Sequence, residues 1–191
     1  MTLLIVGLVL FLGFHSVQIF AAPLRAGLIA RIGANGWKGL YSLGSLAGLV
    51  LLVIGYGQAK SGAPLIALPA SLSAVTYVLV WLGFVLNVAA YWPANHFKAV
   101  LGHPMVAGVG LWALGHLLVR PTPAGMALFG GFLVWAIVDF ISLRARPGGV
   151  PAASPTLRNT ALTVVVGTFV WAIFLMFLHT LVAGVAPRLM T

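Results

Sequence analysis

Apolar residues in this chain neither alternate nor recur in a stripe; they run on. Six stretches, Thr2–Ala22, Leu40–Gln58, Ser71–Trp92, Pro104–Val119, Gly125–Leu143 and Asn159–Val185, hold a single Asp, Glu, Lys or Arg between them, Asp139. Most approach or exceed the ~20 residues that cross a bilayer as a helix; the fourth is short. None has the polar–apolar alternation of an outer-membrane barrel strand. In hydrocarbon a backbone must satisfy its own hydrogen bonds, which leaves helices. The pattern predicts an all-α, polytopic membrane helical bundle of about six transmembrane helices, forming one domain over residues 1–191. Gly44 and Gly48, one helical turn apart, are candidates for close helix–helix approach.

Polar residues and breakers fall between the runs. Arg25, Arg31 and Lys38 separate the first two, and Pro64 and Pro69 mark the next link. The polar stretch Pro93–Lys98 follows the third run, Pro121 and Pro123 predict a tight turn, and Arg144–Arg158 reads as an exposed loop rich in Pro and Gly. The first run has no basic segment before it and is expected to be a retained helix, not a cleaved signal.

Composition then narrows the class. A hydrophobic fraction of 62% with 6% charged residues excludes an ordinary soluble domain. The formal charge of +9 lies in short links between spans, so it predicts contact with membrane lipid and no nucleic-acid partner. Links after the odd-numbered spans hold Arg25, Arg31, Lys38, Lys98, Arg144, Arg146 and Arg158; the other side holds Lys60, Arg120 and Arg188. The positive-inside rule puts the odd links in the cytoplasm of a bacterial inner membrane and both termini in the periplasm.

Candidate chemistry is scarce. With Asp139 as the only acidic residue and no cysteine, paired-carboxylate catalysis, thiolate sites and covalent haem attachment are unavailable. Asp139 is expected to pair with Arg144, Arg146 or His103 near the inner surface. Histidine is what remains: His15, His116 and His179 lie within apolar runs, His103 opens the fourth run and His96 sits in a link. An ionisable group in a span is costly unless it is partnered. Neutral imidazole ligates haem iron without a counter-charge from the protein. At ~1.5 Å per residue, His116 and His179 both fall in the outer half of their helices, and His15 slightly inside its helix midpoint. Depth therefore favours His116 with His179 on one metal. Arg120, one turn outward of His116, is a candidate partner for a haem propionate.

Several segments resemble the NnrU family of bacterial integral membrane proteins. They are Phe14-His15-Ser16, Gly39-Leu40-Tyr41-Ser42-Leu43, Gly102-His103-Pro104-Met105 with Leu111-Trp112-Ala113-Leu114-Gly115-His116, Val138-Asp139-Phe140-Ile141-Ser142, and Leu178-His179-Thr180. The resemblance spans essentially the whole chain. It implies an association with denitrification through nitrite and nitric oxide reduction, and therefore a redox partner protein. It also implies kinship with the plant 15-cis-zeta-carotene isomerase, a haem b protein, whose iron-ligating histidines correspond to His15 and His116. The cysteine of that isomerase three residues before the second histidine is Ala113 here. The reading that follows is a haem b protein, ligated by His116 and, with the motif match set above depth, by His15 rather than His179, acting in redox chemistry or in isomerising an apolar, polyene-like substrate. Two alternatives stand beside it: a methyltransferase-like enzyme using a nucleoside cofactor with His103 and Asp139, and a haem-handling accessory protein.

Overall fold

The computed structural model describes residues 1–146, 154–184 and 187, so Pro147, Gly148, Gly149, Pro151 and Arg188 of the expected links lie outside it. Among the described residues the chain is helical, with seven helices: α1 (Thr2–Phe20), α2 (Ala22–Ala59), α3 (Leu72–Tyr91), α4 (His96–Leu101), α5 (Pro104–Val119), α6 (Pro123–Ala145) and α7 (Leu157–Ala183). Five of these are long and apolar enough to cross a membrane, and α5 is a shorter apolar helix. Leu and Phe side chains such as Phe20, Phe169 and Leu181 lie exposed all around the bundle, an outer surface suited to lipid rather than water.

The one large departure from expectation is the basic link between the first two runs, which is helix. Ala22 and Pro23 open α2 with a proline in its first turn, where no N–H is missed. A straight helix of these 38 residues would measure about 57 Å, nearly twice the ~30 Å hydrocarbon layer. It breaks at Gly33, whose φ of 75° and ψ of 164° suit glycine almost alone. Residues 22–32 form a basic arm folded at one end of the bundle, and residues 34–59 make the span.

Packing follows the small residues. A Cβ on Gly48 would stand 2.7 Å from the Phe11 backbone nitrogen, and Gly44 faces the Phe14 ring, so this pair seats α2 on α1. A Cβ on Gly83 would meet the Gly108 carbonyl oxygen at 2.8 Å, which is how α3 closes on α5. The helices follow one another around the bundle in the order α2, α1, α6, α5, α3, α7, and the far end of α7 meets the end of α2. There Lys60 Nζ donates to the carbonyls of Ala183 (2.8 Å) and Gly184 (3.0 Å). Leu4, Leu8, Leu52, Ala113, Ala124, Leu128 and Phe129 form the main buried cluster.

Two helices are locally widened. Residues Met126–Gly130 of α6 and Phe174–Leu178 of α7 are π-helical turns. Such turns insert an extra residue and redirect the side chains after them. The link before α4 is held by Asn95, which is 1% exposed and caps α4 by accepting from Lys98 N at 2.9 Å.

Candidate functional site

Two of the intramembrane histidines, His15 and His116, share a local construction. His15 Nδ1 lies 2.7 Å from the Phe11 carbonyl oxygen and His116 Nδ1 lies 2.8 Å from the Trp112 carbonyl oxygen. A carbonyl only accepts, so in the neutral imidazole Nδ1 carries the proton and Nε2 keeps its lone pair. Metal-binding histidines are oriented by this kind of contact. Each ring also leans on the aromatic side chain four residues back: His15 stacks on Phe11 at 4.2 Å between centroids, and His116 tilts against Trp112 at 5.1 Å.

His116 is the better enclosed of the two. Phe129, from the π-turn of α6, stacks on its ring at 4.7 Å and 21°. Ala113, one turn back on α5, is fully buried. His179, the residue after the π-turn of α7, lies parallel to His116, with 12° between ring planes and 6.4 Å between centroids. Two π-turns on different helices thus converge on one histidine pair. Arg120 ends α5 by donating its N–H to the His116 carbonyl at 2.8 Å, and its guanidinium acts electrostatically on His116 and Tyr56.

His15 occupies a different place. Its neighbours are Phe11, Tyr41 at 5.2 Å and Trp135 at 5.9 Å. It is not brought against His116. A row of rings stands between them, Phe11 to Phe132 at 5.6 Å and Phe132 to Trp112 at 5.5 Å. His15 lines an open cleft of about 260 Å³ with Phe14, Val17, Gln18, Arg25, Trp37 and Tyr41. A second cavity, about 170 Å³, shares Arg25, Trp37 and Tyr41 with it and adds Lys38 and Ser42. Neither is lined by His116 or His179.

The remaining candidates sit near the arm end. Asp139 feels the fields of Arg146, His103 and His15, in that order. The expected ion pair is not formed among the described residues. Arg146 donates to Ser142 Oγ at 2.9 Å, and Arg144 points to the Leu101 carbonyl at 3.5 Å. The reason is local: Ser142 lies one turn before Arg146 on the same helix and captures its guanidinium. His103 is the N-cap residue of α5, within electrostatic reach of Asp139 but not hydrogen-bonded to it. His96 is helical, not looped; its Nδ1 meets Thr160 Oγ1 at 2.7 Å and ties α4 to α7. No group of three His, Cys, Asp or Glu gathers into a metal cluster among the described residues.

Sequence reading missed Phe129, Gln18 and Trp37 as site residues. One signal was available: Phe11 precedes His15, and Trp112 precedes His116, by the same four residues. With the geometry in hand, a family model described as NnrU protein matches residues 3–187. Comparison with curated proteins and with solved structures returns no match.

Proposed function

This chain belongs to the NnrU family, which links it to denitrification, and on that premise we propose that it is a membrane-embedded haem b protein acting in redox chemistry, with His116 and His179 as iron ligands. One observation carries this reading: parallel imidazoles from α5 and α7, 6.4 Å apart, where two π-turns converge. The chemistry of the donor set, two imidazoles from apolar spans in a chain without cysteine, would suit haem iron. Bound there, haem iron supplies one-electron chemistry inside the span.

The chain's own residues do the rest. The Trp112 carbonyl fixes the His116 tautomer and leaves Nε2 for the metal. Phe129 covers one face of the His116 ring. Arg120, one turn beyond His116, would offer its positive charge to a haem propionate. With no cysteine in the chain the haem is held without covalent attachment. Isomerisation of an apolar substrate has less support, because Ala113 offers no ligand where the related isomerase has cysteine. The same reading sets the arm end in the cytoplasm of a bacterial inner membrane, supported by the seven basic residues on that side against three on the other.

The test is the absorption spectrum of the detergent-purified protein supplied with haem. His116→Ala and His179→Ala should each abolish the Soret band or convert it from a low-spin to a five-coordinate form. His15→Ala and His96→Ala should leave it unchanged. A spectrum that responds to His15→Ala and ignores His179→Ala would move the second ligand to His15 and overturn this pair.

A further inference from the structure

The cleft at the arm end has no part in the histidine-pair reading, and its lining is of a different kind. It forms where the arm of α2 folds back beneath the end of α1. Arg25 reaches from the arm over the indole of Trp37, with its guanidinium carbon 6.0 Å from the ring centroid. Trp37 is only 7% exposed, although it lies in the first turns after the Gly33 break. A buried Trp under an Arg fixes that cation in place, unlike a solvated surface arginine. Lys38 adds a second positive charge to the lining, and no carboxylate lines either cavity. These two charges call for an anion.

Lys38 lines the smaller cavity, and the larger one, joined to it through Arg25, Trp37 and Tyr41, holds groups that call for a donor. Gln18 Oε1 is buried without a hydrogen-bond partner among the described residues. His15 presents an Nε2 lone pair, because its Nδ1 proton is held by Phe11. A bare anion would satisfy the two cations and leave these acceptors unmet. Phe14, Val17 and Ile29 complete the walls with apolar surface. The flanking helices lie among lipid tails.

We propose that this cleft is a specific binding site for a phospholipid whose headgroup is a polyol phosphate: Arg25 and Lys38 hold the phosphate, Gln18 and His15 accept from its hydroxyls, and the acyl chains run out along α1. The Gly33 break is what makes the site, since a straight α2 would carry Arg25 away from Trp37. Loose attraction of anionic lipid to a basic segment needs no such enclosure. It would treat Arg25 and the exposed Arg31 alike.

The experiment is native mass spectrometry of the full chain in a neutral detergent, with phosphatidylglycerol, phosphatidic acid and phosphatidylcholine in turn. The wild-type chain should retain one phosphatidylglycerol about tenfold more strongly than phosphatidylcholine, and more strongly than phosphatidic acid, which has the charge without the hydroxyls. Arg25→Gln should cut retention about tenfold and Arg25→Lys by less, whereas Arg31→Gln should change it less than twofold. Gln18→Leu should erase the preference over phosphatidic acid while the fold is verified by an unchanged helical circular dichroism. Millimolar inorganic phosphate should not displace the lipid. Equal retention of phosphatidylcholine, an equal effect of Arg31→Gln and Arg25→Gln, or displacement by inorganic phosphate would each overturn the proposal. The haem spectrum of Arg25→Gln should match wild type, so failure here leaves the histidine-pair reading separately testable.

Discussion

Asn95 sets the standard for polarity in this chain: a buried polar side chain is kept because several backbone groups need it. Its Nδ2 donates to the carbonyls of Ala89 (2.9 Å) and Trp92 (2.7 Å), while its Oδ1 accepts from the Lys98 N–H in the first turn of α4. Asn95→Ala removes all three bonds in a site water reaches poorly, and should cost about 2–4 kcal/mol. A fall in the thermal unfolding midpoint in detergent would measure it; a midpoint unchanged within error would mean the link is held by other contacts. His15 and His116 obey the same rule at greater depth, since each Nδ1 is spent on a backbone carbonyl before any ligand arrives. Depth read from the sequence put His116 and His179 at the same level, while the motif resemblance turned the choice of second ligand to His15. Which ring faces which was not legible, because the π-turns that aim Phe129 and His179 leave no mark in residue type.

At the scale of elements, run length was the dependable signal and run edges the weak one. The fourth run, Pro104–Val119, coincides with α5 because proline starts it and Arg120 stops it. The second run was placed eighteen residues late, at Leu40 instead of Ala22, because charge was read as loop. Arg25, Arg31 and Lys38 are good helix formers, and a basic helix at a membrane surface satisfies both its backbone and its charges. Only the length limit of the bilayer demands a break, and the chain places glycine there. Gly33→Ala puts a Cβ into a backbone region that disfavours it and should cost about 1–3 kcal/mol, unless α2 relaxes toward a straight helix. Either outcome is visible: the thermal midpoint falls, or Trp37 fluorescence, read in a background with the other tryptophans replaced by Phe, shifts to the red as Arg25 and the arm leave it. An unchanged midpoint and an unchanged emission would show that Gly33 does not hold the arm. Gly44 and Gly48, by contrast, were readable as packing residues from spacing alone, and both face α1.

At the scale of the whole molecule, the bundle is closed by a charge, not by a helix interface. Lys60 lies at the end of α2, yet its ammonium group caps the last carbonyls of α7, where a cation is favoured by the helix dipole. His179 is one turn before Ala183, so this clamp steadies the helix end that carries the second proposed ligand. Lys60→Met should destabilise the fold by only about 1 kcal/mol but weaken haem retention when the protein is dialysed against apomyoglobin. Retention equal to wild type would show that α7 is positioned without the clamp. The closure also fixes sidedness, because it brings the ends of α2 and α7 to the face opposite the basic arm. That geometry joins the charge bias into one prediction, and the absence of native cysteine makes it clean to test. Ser61, beside the clamp, and Ser154, before α7, are both exposed, and with the shorter α5 crossing beside the five long apolar helices they lie on opposite faces of the bundle. In intact bacteria with a permeabilised outer membrane, an impermeant maleimide should label Ser61→Cys and spare Ser154→Cys until the inner membrane is opened. The reverse pattern would invert the orientation, and labelling of both from one side would mean that the shorter helix α5 does not span.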